Sequence, residues 1–198
     1  ELSNLDDGTY LLAVVGRNSA GVWQDEADAT YSRTWTVNRQ LARVQISEVL
    51  ARNTTAINHE GTYPDLVELV NTGVVDIDLS GMSLSDRLDD PTKFVFPSPT
   101  VIHAGEYLVL YADRNTTTSG LHLGFALNAD RGEGVFLFDN PSGGGAVLDS
   151  VEFGIQLADL SISRLGPDGE WGLSKPTFGF ANDAQPTSDC SQLRINEW

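Results

Sequence analysis

Three carboxylates crowd one short loop of the chain: Asp86, Asp89 and Asp90, in DRLDD (86–90). Ca²⁺ takes clustered carboxylate oxygens together with backbone carbonyls, so this loop is a candidate calcium site. The spacing lacks the sixth-place glycine of an EF-hand, and a solvated acidic loop is the competing reading. The three histidines, His59, His103 and His122, fall in predicted loops or strand ends. No HxH or HExxH spacing joins them, which leaves zinc without a ligand set and makes surface histidine the expectation. Asp65 and Glu68 can be weighed as a hydrolytic acid pair, but two carboxylates so close on one strand are ordinarily a solvated edge. Cys190 is a lone cysteine with no base near it in sequence, so neither an intrachain disulfide nor a thiol nucleophile is expected. No G-x-S-x-G turn is present to hold a serine nucleophile. The expectation is a non-enzymatic chain with no cofactor beyond the candidate calcium.

Two other acids sit where the pattern asks for apolar residues. Glu48 interrupts VQISEVL (44–50) and Glu68 interrupts DLVELVN (65–71). Either a bulge follows Ile46, or Glu48 is buried and paired. An unpartnered buried carboxylate is costly, so partners are required. Arg164 in SISRL (161–165) also breaks a strand pattern, and a structural ion pair of Arg164 with Glu48 or Glu68 is expected.

The elements that position these groups read as strands. No helical periodicity is convincing anywhere, and 19 glycines and 8 prolines suit many short strands with tight turns. EYLVLYA (106–112) reads as a central strand buried on both faces, and so does TYLLAVVG (9–16). TYSRTWTV (30–37) alternates as the partner of the latter. The glycine-rich NPSGGG (140–145) joins two strand patterns and opens no helix, so it reads as a turn and not a phosphate cradle. The expected core is Val44, Ile46, Val67, Leu69, Leu79, Leu84, Phe94, Phe96, Leu108, Leu110, Phe136, Phe138, Val151, Ile162 and Trp171.

Composition narrows the partners. With 40% hydrophobic residues a packed core is expected, and the formal charge of −16 argues against nucleic acid and anionic membranes as partners. No run of about 18 apolar residues is present, so no membrane insertion by a helix is expected. Four tryptophans, Trp23, Trp35, Trp171 and Trp198, raise a sugar-stacking platform, against which buried packing is the default. NTT at 53–55 and at 115–117 matches the N-glycosylation pattern.

The ordered pieces VQISEVL, DLVELVNTGVVDIDLSGMSLSD, FVFPSPTVIHAGEYLVLYA, GVFLFDNPSGGGAVLDSVEF and SISRLGPDGEWGLSKPTFGFAN resemble the lamin-tail domain. The family pattern at the last of these is PTPGAAN, and Phe178 and Phe180 depart from it. The resemblance implies an all-β, Ig-like antiparallel β-sandwich over residues 43–183. Residues 1–38 resemble the last strands of a fibronectin-III-like or Ig-like module, giving an additional N-terminal β-hairpin. LRINEW (193–198) parallels RVQISEV (43–49), so residues 188–198 read as the start of a further repeat. On that expectation the chain is an excerpt of an array, its severed strands favour truncation-induced self-association, and one of the end segments pairs with the central sandwich or a neighbouring copy. The implied role is a structural, adhesive or spacer module of a large multidomain extracellular or cell-surface protein of a bacterium, with protein partners or neighbouring domains of the same chain. The alternative is an accessory glycan- or calcium-contacting domain of a secreted hydrolase.

Overall fold

Alternating apolar side chains in VQISEVL and DLVELVN form the two central strands of a sheet, β5 (Val44–Leu50) and β6 (Asp65–Asn71). The computed structural model describes residues 5–37, 43–115 and 117–187. No α-helix occurs among the described residues; 3-10 turns such as Pro141–Gly143 serve as connections.

Four short strands precede the sandwich: β1 (Gly8–Tyr10), β2 (Ala13–Val14), β3 (Thr30–Tyr31) and β4 (Trp35–Val37). β1 pairs with β4 and β2 with β3, both antiparallel, and among the described residues they pair with no other strand. The expected hairpin is present, but TYLLAVVG is not buried on both faces. It breaks at Leu11 and Leu12, and Leu11, Leu12 and Val14 are exposed. Apolar residues on both faces of a strand imply burial only where a second layer covers them. Residues 188–198, including the LRINEW segment and Cys190, lie outside the described residues.

The sandwich follows with β7 (Ile77–Asp78), β8 (Ser83–Ser85), β9 (Phe94–Val95), β10 (Val101–Ile102), β11 (Tyr107–Ala112) and β12 (Leu121–His122). It closes with β13 (Glu133–Phe138), β14 (Val147–Phe153), β15 (Ser161–Leu165), β16 (Glu170–Lys175) and β17 (Asp183–Ala184). One sheet has seven strands in the order β12-β11-β6-β5-β15-β16-β17; the facing sheet has four, β14-β13-β8-β9. The pairings are antiparallel apart from the two-residue β11–β12 contact. The fold is the all-β, Ig-like sandwich expected.

The core lies between the sheets and holds Val44, Ile46, Val67, Leu69, Leu79, Leu84, Phe96, Leu110, Leu137 and Val151. None of the residues expected in the core is exposed; Phe94, Leu108, Ile162 and Trp171 pack against it half-buried, while Phe136 and Phe138 are buried outside it, on the face of β13 opposite the core residues Val135 and Leu137. EYLVLYA differs from expectation. β11 has β6 on one side and only two residues of β12 on the other. Tyr107, Val109 and Tyr111 therefore lie half-buried on the outer face of a near-edge strand. At the turn into β13, Gly132 has φ +77°, and a Cβ there would meet the Phe153 carbonyl oxygen at 2.3 Å. That close approach excludes any larger residue.

Candidate functional site

The β5 alternation holds through Val44 and Ile46 and is then reset. Ser47 and Glu48 together oppose a single β6 residue, so the register shifts between Ile46 and Glu48. This bulge turns Glu48 away from the core and lets Val49 face inward. Glu48 then stands directly across from Glu68 of β6 on one side and Ser163 of β15 on the other. Both glutamates are fully buried on the outer face of the seven-stranded sheet.

They are covered by the segment after β16, residues 176–182. Thr177 donates its N–H to Glu48 Oε1 at 3.0 Å and its hydroxyl to Oε2 at 3.0 Å. Gly179 N–H donates to Glu68 Oε2 at 2.5 Å. Asn182 Nδ2 donates to the Ser47 carbonyl at 3.2 Å and to the Arg164 carbonyl at 2.9 Å. The strap thus carries its donors at Thr177, Gly179 and Asn182, while Phe180 projects into solvent. Burial pushes the Glu48 carboxyl up, with Ser161 and Thr177 donors opposing the rise. Burial also pushes Glu68 up to about 7, opposed by the Gly179 N–H and reinforced by the charge of Glu48.

Arg164 joins neither glutamate, which corrects the expected ion pair. Ser163 is the residue opposite Glu48, so its neighbour Arg164 points to the other face of the sheet. There Arg164 Nη2 meets Asp149 Oδ1 of β14 at 2.7 Å, and Nε donates to the Ile46 carbonyl at 3.0 Å. Asp149 Oδ2 in turn accepts from the Ile46 N–H at 2.8 Å. Arg164 and Asp149 together satisfy both backbone groups of Ile46, just beyond the two residues at which β15 pairs with β5. The guanidinium also lies 4.9 Å from the centre of the Trp171 ring.

The acidic loop is tied up by cations. Arg87 forks onto Asp89 at 2.8 and 2.9 Å, and Lys93 Nζ lies 2.5 Å from Asp86. Among the described residues no three His, Cys, Asp or Glu side chains are grouped as a metal ion requires, so Asp86, Asp89 and Asp90 do not converge. Asp65 and Glu68 are not a pair either. Asp65 accepts from the Leu127 N–H at 3.1 Å, and burial pushes its carboxyl up to about 6.

The structure does gather two of the three histidines, which no spacing indicated. His59 stacks on Tyr111 with ring centres 3.7 Å apart, and His122 flanks the same ring at 5.2 Å. His122 Nδ1 meets Asp113 at 2.6 Å, and the Nε2 atoms of His59 and His122 both face the Ser119 carbonyl, at 2.9 and 3.2 Å. The group ties the 53–64 loop to the 113–120 loop. Its one sequence signal is Tyr111, whose position on the outer face of β11 offers a ring to whatever loop folds over it. His103 stands apart, exposed, with Nδ1 2.8 Å from Asp76.

The first NTT segment is bonded into the fold. Asn53 is buried, and its Nδ2 donates to the carbonyls of Ile57 and Pro64, each at 2.7 Å. Thr54 and Thr55 donate backbone and hydroxyl groups to Asp159, which holds that carboxyl far below the usual range. Trp23 is exposed beneath the Arg17 guanidinium, Trp35 stacks on Tyr10, and Trp171 packs against the core; Trp198 lies outside the described residues.

Comparison with known proteins gives one family. A family model described as the Lamin Tail Domain matches residues 38–154, more than half of the chain. No curated protein matches the chain.

Proposed function

The chain belongs to the lamin tail domain family, and from that premise we propose that it serves as a structural spacer and protein-interaction module of a large extracellular or cell-surface bacterial protein. The observation that carries this reading is the clasp between the first and last pieces of the sandwich. Glu48 and Ser47 of the entering strand are bonded to Thr177 and Asn182 of the closing strap. The chain's path into and out of the domain is thereby held at one geometry, as a spacer that transmits orientation requires. The candidate chemical groups support the same reading: Asp86, Asp89, His103, His122 and Asp159 are each bound to groups of this chain. The multidomain context is supported by β1–β4, which precede the matched segment and pair among themselves. The test is the full-length protein with residues 43–183 replaced by a flexible glycine–serine linker. Attachment to partners or the fixed dimensions of the particle in solution scattering are then lost, and turnover by any catalytic domain elsewhere is kept. Turnover that disappears with the segment while the remainder stays folded overturns the proposal.

A further inference from the structure

The two sheets are unequal in width, and the mismatch leaves a face without a partner among the described residues. The four-stranded sheet ends at β14, which lies against β5 through the Asp149–Ile46 contact and against β15 through the Asp149–Arg164 contact. The seven-stranded sheet continues past β5 into β15 and β16. Leu173 is directly opposite Ile162, and Trp171 is two residues before Leu173, so all three share the core-side face. Beyond the β14 edge they remain half-buried. A cleft of about 590 Å³ runs there, walled by residues 150–154 on one side and by Ile162, Trp171 and Leu173 on the other.

The β14 wall is itself unpaired. Among the described residues β14 pairs with β13 alone, so alternate N–H and C=O groups along its other edge point away from any strand. Val151 is buried toward the core, Glu152 points to solvent, and Phe153 turns inward again. A strand added at this edge would repeat that alternation, because directly opposed residues share a face. Its residue opposite Val151 would lie over Ile162, Trp171 and Leu173, and the next would lie beside Glu152.

We propose that this cleft is a docking groove for an extended peptide segment that adds a strand to β14. The peptide sets bulky apolar side chains over Ile162, Trp171 and Leu173, and a basic side chain beside Glu152. The proposal rests on the interaction-module reading and gives it a surface. Charge selects the occupant. Glu152 is the one charged residue lining the cleft, and the chain carries a formal −16. A second copy pairing edge to edge would bring its own Glu152 and its own net negative charge to the same place, where like charges repel. Backbone pairing supplies attachment to the edge, and the alternating side chains supply selectivity.

The probe is a capped hexapeptide of alternating valine and lysine, titrated into the full chain and followed by amide NMR and hydrogen exchange. Two controls have the same length: a block peptide of three valines followed by three lysines, and alternating valine and glutamate. The expected result is saturable binding of the alternating valine–lysine peptide, slowed exchange confined to residues 150–154, and a shift of the Trp171 indole signal. The valine–glutamate peptide is expected to bind about two- to fivefold more weakly, the range of one exposed charge contact. Glu152→Lys, at a solvent-facing position, is expected to reverse that preference. Equal binding of the block peptide, protection elsewhere, or an unchanged preference in E152K overturns the groove. A concentration-dependent dimer that protects residues 150–154 without peptide assigns the edge to a second copy and also overturns it. A null peptide result together with lost attachment in the linker-replaced full-length protein removes the groove and leaves the module reading standing.

Discussion

Replacing Glu68 by glutamine is expected to stabilise the protein at neutral pH and do almost nothing in acid. Glu68 is fully buried, faces Glu48 across the strand pair, and has its carboxyl pushed from 4.5 to about 7 by burial. An acid whose pKa is raised by folding binds its proton more tightly in the folded state. Between about pH 4.5 and 7 the folded chain therefore holds more protons than the unfolded chain, and stability falls as pH rises through that window. Below 4.5 both states are protonated and the effect vanishes; above 7 it is complete. At 1.36 kcal/mol for each tenfold change in proton affinity, the full loss is about 3 kcal/mol. The substituted amide is neutral at every pH. Its carbonyl can still accept from the Gly179 N–H, and the Ser47 hydroxyl beside Glu68 can accept from the new amide. Urea denaturation at pH 5, 6, 7 and 8 measures the difference. E68Q should exceed the parent by about 1 kcal/mol at pH 5 and by up to about 3 kcal/mol at pH 8, the latter roughly 6–12 °C in Tm for a domain of this size. Asp65 and Glu133 also have raised pKa values and slope both proteins alike, so the difference curve reports residue 68 together with its coupling to Glu48. A variant less stable than the parent at pH 8, with an unchanged denaturant slope, would refute the buried-charge argument.

Other consequences follow from the same structure. Phe96→Ala, at a position 1% exposed, should cost about 3–5 kcal/mol in urea unfolding. Arg164→Ala should cost about 1–3 kcal/mol, because it leaves Asp149 and the Ile46 carbonyl without their charged partner; double-mutant cycles with Asp149→Ala should show coupling, and strict additivity would count against the contact. Asp159→Ala should speed amide exchange at Thr54, Thr55 and Ala56, all of which donate to that carboxylate, and leave the β5–β6 amides unchanged. Folded protein secreted from a glycosylating host should carry no glycan on Asn53, whose side-chain nitrogen is bonded inside the fold, as peptide mass mapping will show.

The fold was legible where one rule acts alone. Val67 and Leu69 could be placed in the core from a period of two, and they lie there; on β13 the same rule chose the wrong face, since Val135 and Leu137 enter the core while Phe136 and Phe138 are buried on the opposite side. The rule failed where it needed knowledge of a second layer: Leu11, Leu12 and Val14 carry the apolar pattern of a covered strand and are exposed. At the candidate site the same division holds within single residues. Glu48 and Glu68 stood out as acids on apolar strands, and the bulge at Ser47 is one of the two resolutions that pattern admits. Their partners could not be read from it. A charge is the obvious complement to a buried acid, yet Arg164 lies one residue from the position facing Glu48, and one residue on a strand is the difference between two faces. Backbone N–H groups, Thr177 and Gly179 among them, bond the acids instead, although Glu68 Oε1 has no hydrogen-bond partner among the described residues, and a backbone donor leaves little trace in side-chain identity. The trace it leaves is indirect. In PTFGFAN, the residues shared with the family pattern PTPGAAN include Thr177, Gly179 and Asn182, the three that reach β5, β6 and β15. Phe178 and Phe180, the two departures, make no hydrogen bond by their side chains, and Phe180 is 74% exposed. The strap therefore tolerates bulk at Phe180, which faces water, because its bonds to the sheet are made from Thr177, Gly179 and Asn182.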